Sequence, residues 1–340
     1  MNPQIKVAVV TVVYGKRWEL LKQVADSVLT DPKVSTFIVV DNGAHDVVGM
    51  DAYAASNPGR VVILKQGQNI GYSGAINKGM SYVRTVDCDH VFVLDDDSVP
   101  EVGAIDHFLN NLKLFKSEKI ILVGNRLDVP GNENFFTTKN VYERNNSRTL
   151  YEVFSFKKLK NFVCVLLGIN TTNKTYPYIP VIPVDAFVTG GTFLPIAAVR
   201  AVEPPDASFF IYAEDLDYAW RMRMAGYEIY ACARPIIRDI DMTFPNIRDH
   251  IYGLFKTTTP EYKVFFRMRN TVVISRRHSG KSKLNVGLNV FFWYLGLNVI
   301  GLVRSGPTKF FFKRSGLIAR ALYRGFKMDT SRPDFIQVPQ

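Results

Sequence analysis

Cysteine is scarce in this 340-residue chain: three in all (Cys88, Cys164, Cys232), odd in number and far apart. That excludes a disulfide framework and any CxxC metal spacing, and it points to reduced thiols in a cytosolic setting. Acids are missing from one region. Between positions 276 and 327 stand eleven Lys or Arg and no Asp or Glu, in a chain with 42 basic and 31 acidic residues overall. The net charge of +11 therefore belongs to that tail, and the remainder balances. A nucleic-acid groove on the main body is not expected. No repeat of 20 to 50 residues recurs, which excludes a solenoid. The apolar run after Lys6 has no small-residue cleavage site, so it reads as a buried strand and not a signal peptide. What is present is core material: 47% hydrophobic and 13% aromatic residues suit a packed globular chain.

The run 6–13 is β-branched and apolar on both faces, as a central strand of a parallel sheet is. A helical pattern (Trp18, Leu21, Leu29) follows, then apolar strands at 36–40, 61–64 and 90–94, with small residues at helical spacing over 71–83. This rhythm predicts an α/β fold with a central sheet flanked by helices. Further strands are expected at 119–123 and 182–187, and a helix from Asp215 to Gly226. The stretch 128–180 has no clean periodicity and is expected to form loops or a mobile flap.

Three strand ends carry polar side chains: Tyr14, Asp41, and the triplet Asp95, Asp96, Asp97. In open α/β sheets ligands collect at such ends. Three carboxylates at one strand tip repel each other unless a cation neutralises them. Strand alternation would put Asp95 and Asp97 on one side and Asp96 on the other. Two could then share a hard ion such as Mg²⁺ or Mn²⁺ carrying a diphosphate, whereas the plain alternative is a solvated acidic turn. A second cluster, Glu214, Asp215 and Asp217, follows the apolar run 209–213. Helix capping accounts for Asp217. Partial burial of Glu214 and Asp215 would raise their proton affinity towards general-base range. The Gly- and Asn-rich segment 69–79 opens a helix, either to cradle phosphate or to pack closely on the sheet.

These pieces in this order resemble family 2 glycosyltransferases of the GT-A fold, over roughly 5–275. Carrying the resemblance are Val10-Thr11-Val12-Val13-Tyr14-Gly15, Val39-Val40-Asp41-Asn42, Asn69-x-Gly71 with Asn77, Leu94-Asp95-Asp96-Asp97-Ser98 as a DXD motif, Thr189-Gly190-Gly191, and Glu214-Asp215 as an ED motif. The segment 262–277, with Arg269-Asn270, is similar to the stretch after the catalytic domain of bacterial envelope rhamnosyl- and galactofuranosyltransferases. The resemblance implies a Rossmann-like mixed sheet, with a catalytic domain over 1–260 (donor part to about 127, acceptor part 128–260) and a C-terminal helical region over 261–340. It also implies roles. Thr11, Tyr14, Asp41, Asn69, Gly71, Asp95 and Asp96 would contact the donor, Tyr14 and Asp41 at nucleobase and ribose. Asp97 and Asp95 would hold a divalent metal, Mn²⁺ or Mg²⁺. Asp215 would be the catalytic base, with Glu214 beside it. One departure stands out: where such enzymes often have a metal-shell His about two dozen residues after the ED motif, this chain has Arg238 or Asp239, so Asp239 is the candidate third ligand, with His250 further on a weaker one.

The implied activity is inverting sugar transfer from a nucleotide sugar, dTDP-rhamnose or UDP-galactofuranose, to a glycan or lipid-linked glycan in envelope polysaccharide synthesis. The tail adds a location. Positions 284–303 form a 20-residue stretch without charge, bracketed by basic clusters and diluted by Asn and Gly. This pattern suits helices lying on an anionic membrane at the cytoplasmic face. Its alternatives are a membrane span, or packing on the catalytic domain or a second copy. Two rival functions compete: a sugar-nucleotide pyrophosphorylase, for which Tyr14-Gly15-Lys16-Arg17 is a poor triphosphate loop, and a non-catalytic glycan-binding scaffold, which has no need of a base.

Overall fold

A computed structural model describes residues 5–126, 136, 178–241 and 253–338. Nearly all of the expected loop region 128–180, and His250, lie outside the described residues.

The continuous apolar run of β1 (Val7–Gly15) is buried on both faces from Val7 to Val13. Its alternation feeds two cores. Ala8, Val10 and Val12 face one side of the sheet; Val7, Val9 and Val13 face the other. After β1 come α1 (Trp18–Leu29), β2 (Val34–Ala44), α2 (Val47–Ser56), β3 (Val61–Lys65), α3 (Tyr72–Val83) and β4 (His90–Val93). All four strands are parallel, in the order β3-β2-β1-β4. Helix α3 covers one face and α1 the other, as doubly wound connections require.

The second half turns the sheet mixed. It contains β5 (Ser98–Pro100), α4 (Ala104–Leu112), β6 (Ile120–Arg126), β7 (Val181–Pro183), β8 (Thr192–Pro195), α5 (Ile196–Ala201), α6 (Glu214–Met224) and β9 (Glu228–Asp239). Strand β8 lies antiparallel between β4 and β6, while β9 is parallel to β6 and antiparallel to β5. The pairing of Ser98 with Asp239 matters most, because it brings the end of β9 beside the acidic triplet.

The C-terminal part is three helices: α7 (Glu261–His278), α8 (Lys283–Ser305) and α9 (Lys309–Phe326). Ser282 and Thr308 cap α8 and α9, each side-chain oxygen accepting from a backbone N–H in the first turn. Val264, Met268 and Val272 of α7 pack with Ile318, Ala321 and Leu322 of α9 in a third core that also takes in Phe210. Helix α8 is long and apolar enough to cross a membrane by length and composition, with mean hydropathy 1.8 over its best window, only 22% of which is buried.

Candidate active site

A cleft of about 360 Å³ opens at the carboxyl ends of the parallel strands. Tyr14 reaches it from β1, Asn69 and Gly71 from the turn before α3, and Asp95, Asp96 and Asp97 from the segment after β4. Asp239 and Asp241, from the end of β9 and just beyond, complete the acidic side.

The triplet does not extend the strand. β4 ends at Val93, and 95–97 form a tight turn closed by Ser98 N–H donating to the Asp95 carbonyl at 3.2 Å. Strand alternation therefore fails: Asp96 and Asp97 meet the same guanidinium. Arg17, at the tip of β1, donates from Nε to Asp96 at 2.8 Å, from Nη2 to Asp97 at 2.6 Å and from Nη1 to Asp241 at 2.5 Å. A second arginine does the same on the other side. Arg126, ending β6, donates to Asp95 at 3.1 Å and to Asp239 at 2.6 Å. Asp239 also accepts from the Ser98 hydroxyl at 3.2 Å. Its arginine is thus Arg126 and not the adjacent Arg238 or nearby Arg234, which instead pairs with Glu101.

Five carboxylates against two arginines make a site short of positive charge. Burial pushes Asp96 up to about 7 despite Arg17, and burial with the charge of Asp95 raises Asp97. Both guanidiniums are raised in turn, the acids outweighing burial. The donor set is all hard oxygen, the chemistry Mg²⁺ or Mn²⁺ selects. Among the described residues no three of these acids are drawn into ligand geometry, each being tied to an arginine. The residues fit a divalent ion in chemistry, with the arginines as present counter-ions.

Gly190 shows how tightly the turn is seated. A Cβ there would lie 2.3 Å from the Asp95 carboxylate and 2.8 Å from Arg126, so the Gly-Gly pair before β8 lets the backbone pass the acid. Thr189 shares a hydrogen bond with the Tyr72 hydroxyl at 3.0 Å, and that hydroxyl stands 3.4 Å from Asp95.

Glu214 and Asp215 open α6 outside the cleft wall. Glu214 is 4% exposed and accepts from the Ser73 hydroxyl at 3.0 Å; Asp215 accepts from Leu216 N–H at 2.8 Å. Burial raises the proton affinity of both, with Asp215 adding to Glu214 and Asp95 adding to each. Tyr72, raised well above its usual value by burial and by Asp95, Glu214 and Asp215, stands in the field of both acidic groups. The approach to α6 is unusual: Phe210, Tyr212 and Ala213 all have φ between 66° and 72°, left-handed for non-glycine residues. Each costs about 1–3 kcal/mol, a strain that functional sites often hold. Asp217 belongs elsewhere. It pairs with Arg221, Arg277 and His278, which hold it down at about 2 against the effect of burial.

Two expected donor contacts sit differently. Thr11 is fully buried within β1, away from the cleft. Asp41 is 5% exposed and spends Oδ1 on its own turn, accepting from Gly43 and Ala44 N–H at 3.1 and 2.7 Å. Its neighbour Asn42 lines the cleft instead, donating to Asn69 and accepting from Ile70 N–H. Arg17, Arg126, Asp241, Tyr72 and Tyr262 are among the cleft residues that sequence patterning does not single out, and Asn42 takes the place expected of Asp41.

Residues 8–170 match the model of the family described as Glycosyl transferase family 2. The fold is GT-A. Three solved glycosyltransferases share it: GalNAc-T7 with UDP, GalNAc and Mn²⁺ (13% identity, TM-score 0.54), the mannosyltransferase PcManGT from Pyrobaculum calidifontis with GDP-Man and Mn²⁺ (12%, 0.52), and S. aureus TarS 1-349 with UDP-GlcNAc (11%, 0.50). They align with 81%, 97% and 96% of this chain, respectively. The chain spans 48% of the GalNAc-T7 chain, 84% of PcManGT and 88% of the TarS fragment. No curated protein matches the sequence.

Proposed function

We propose that the protein is an inverting, divalent-metal-dependent glycosyltransferase that moves a sugar from a nucleoside diphosphate to a hydroxyl of a glycan. One observation carries this reading. The carboxylates at 95–97 and 239 share one cleft, and the first turn of α3 links it to the ED pair: the Tyr72 hydroxyl stands 3.4 Å from Asp95 while the Ser73 hydroxyl bonds Glu214. Fold alone supports many chemistries, so the weight rests on these side chains. Asp95, Asp97 and Asp239 would hold the metal, which supplies charge neutralisation for the departing diphosphate. Arg17 and Arg126 bring fixed positive charge to the same place, where charge develops on the departing diphosphate. Tyr14, Asn42 and Asn69 offer the polar edge for the nucleoside. Asp215 takes the acceptor proton, and its raised proton affinity suits a base working near neutrality. Mn²⁺ in two of the structural neighbours accords with this reading. Rhamnose and galactofuranose, suggested by the similarity of 262–277, are the first sugars to try.

A panel of nucleotide sugars tested with Mn²⁺ for thermal stabilisation and for hydrolysis examines the proposal. Ligand at about 100-fold its Kd adds about 2.7 kcal/mol to the native state, an easily measured rise in melting temperature. A protein that no member stabilises, and that hydrolyses none, is not this enzyme.

The acceptor is proposed to be lipid-linked and the protein to sit on the cytoplasmic face of an anionic membrane. Supporting this, α8 leaves Leu284, Phe291, Phe292, Val299 and Val303 exposed, at 72, 54, 53, 61 and 82%. Lys281, Lys283, Arg304 and Lys309 bracket them, and basic residues beside an apolar face are what anionic headgroups attract. The other side of α8 is anchored, with Tyr294 hydrogen-bonded to Ser315 of α9 at 2.8 Å. Phe291→Asp with Val299→Asp is expected to abolish flotation with phosphatidylglycerol vesicles while sugar transfer to a water-soluble acceptor persists. Unchanged flotation would remove the membrane from the reading, and a change in oligomeric state would assign the face to a second copy.

A further inference from the structure

We infer that Arg269 and Asn270 of α7 are positioning residues for the Glu214–Asp215 pair: they hold the left-handed loop 209–213 in the conformation that presents those acids. The inference rests on the reading of Asp215 as the base.

Both residues are fully buried. The Asn270 amide donates to the carbonyls of Phe209, Ile211 and Tyr212 at 2.9, 2.8 and 2.9 Å. Arg269 spends all its donors. Nε bonds the Asn270 side-chain oxygen at 2.8 Å, Nη2 bonds the carbonyls of Ser208 and Phe209 at 3.0 Å each, and Nη1 bonds those of Thr330 and Ser331 at 2.8 and 3.1 Å. A buried guanidinium whose hydrogen bonds go to carbonyls and an amide, and to no carboxylate, is costly to keep. Burial accordingly pulls its proton affinity down, to about 10. What that cost secures is loop geometry. An extended or helical 209–213 segment would scatter its carbonyls, whereas the left-handed turns at 210, 212 and 213 converge three of them on one amide.

The Phe210 carbonyl points the other way and does a different task, while that of Ala213 starts α6 by accepting from Asp217 N–H. Phe210 O accepts from Ser73 N–H at 3.0 Å, and the Ser73 hydroxyl in turn bonds Glu214. The Phe210 ring lies against Gly71 and stacks on Phe266 of α7, with centroids 4.7 Å apart. One loop therefore links the C-terminal helices, the donor edge at Gly71 and the buried acid. Helix α7 also contributes Tyr262 to the cleft wall.

Hydrogen exchange on the ligand-free full chain tests the clamp without reference to any substrate. In Asn270→Ala, peptides covering 208–216 and 71–75 are expected to exchange about 10-fold faster or more, while those of β1 and β4 keep their protection. On the nucleotide sugar selected by the panel, kcat is expected to fall about 10- to 100-fold with KM for the donor nearly unchanged, the signature of a misplaced group and not of a smaller folded fraction. Adding Ala213→Gly, which adopts the left-handed conformation freely, is expected to restore part of both losses. Unchanged exchange over 208–216, or full turnover in folded Asn270→Ala, overturns the inference. Should Asn270→Ala fail to fold, Arg269→Lys, which keeps the charge but not the five-bond fork, is read by the same criteria. Asp215→Asn run alongside separates the two ideas: if it is fully active, the base assignment has failed, while the exchange data still judge the clamp.

Discussion

Asp215→Asn is expected to lower turnover by about 10²- to 10⁴-fold, the usual worth of a positioned general base, with nucleotide binding intact. The substitution keeps volume and removes one proton-accepting oxygen, so the loss falls on chemistry. Leu216 N–H, which Asp215 accepts at 2.8 Å, can still be satisfied by the amide oxygen, which argues against unfolding as the cause. The wild-type pH profile supplies an independent check. Burial raises the proton affinity of Asp215, and a base works only when deprotonated, so kcat is expected to fall as pH drops, starting nearer neutrality than for an ordinary aspartate. Rapid-quench turnover from pH 5 to 8 reads this limb. A variant with wild-type kcat, or a profile flat down to pH 5, would move the base elsewhere.

Gly71→Ala is expected to be the most damaging single methyl in the parallel half of the fold. At φ +81° an alanine already costs about 1–2 kcal/mol. The larger problem is contact: the new Cβ would sit 2.4 Å from the Phe210 carbonyl oxygen and 2.6 Å from its ring. The first of these is backbone, itself bonded to Ser73, so no rotamer change relieves it. Loss of about 3 kcal/mol or more in urea unfolding is expected, together with weaker nucleotide-sugar binding as residue 71 itself is pushed off its place in the cleft wall. Gly59→Ala isolates the backbone part, since it has φ +75° with nothing within 4 Å of its Cβ. Equal losses at the two positions would show that the contact with Phe210 does not matter.

Local patterning carried most of the fold because its signals are local. The two-faced apolar run of β1 reads as a central strand, and small residues at helical spacing read as α3. The acids at 95–97, 214–215 and 239 were visible as chemistry without a partner. What was not visible is what neutralises them. Arg17 reaches acids 79, 80 and 224 positions away, and no window of sequence joins such positions. The available hint was stoichiometric: an acid cluster at one sheet end demands cations, and Arg17 stands at the tip of the adjoining strand. The turn at 95–97 is hidden for a related reason: strand alternation holds only to the last paired residue, Val93, and nothing in the acidic triplet itself marks where pairing stops. Asp41 illustrates a third limit. An aspartate at a strand end can serve a ligand or its own turn, and only coordinates show the backbone N–H groups it accepts from.

Arg17 lines the cleft, and its three bonds join the β1 tip to two acids of the 95–97 turn and to Asp241 just beyond β9. Arg17 and Asp241 keep side-chain exposures of 26% and 36%, so this cluster is wetted by solvent and not sealed by hydrocarbon. Dissolved electrolyte weakens such pairs, with a screening length of about 8 Å at physiological strength. The three ion pairs are therefore expected to loosen as ionic strength rises, leaving the acids of the cleft freer to meet another cation in concentrated salt.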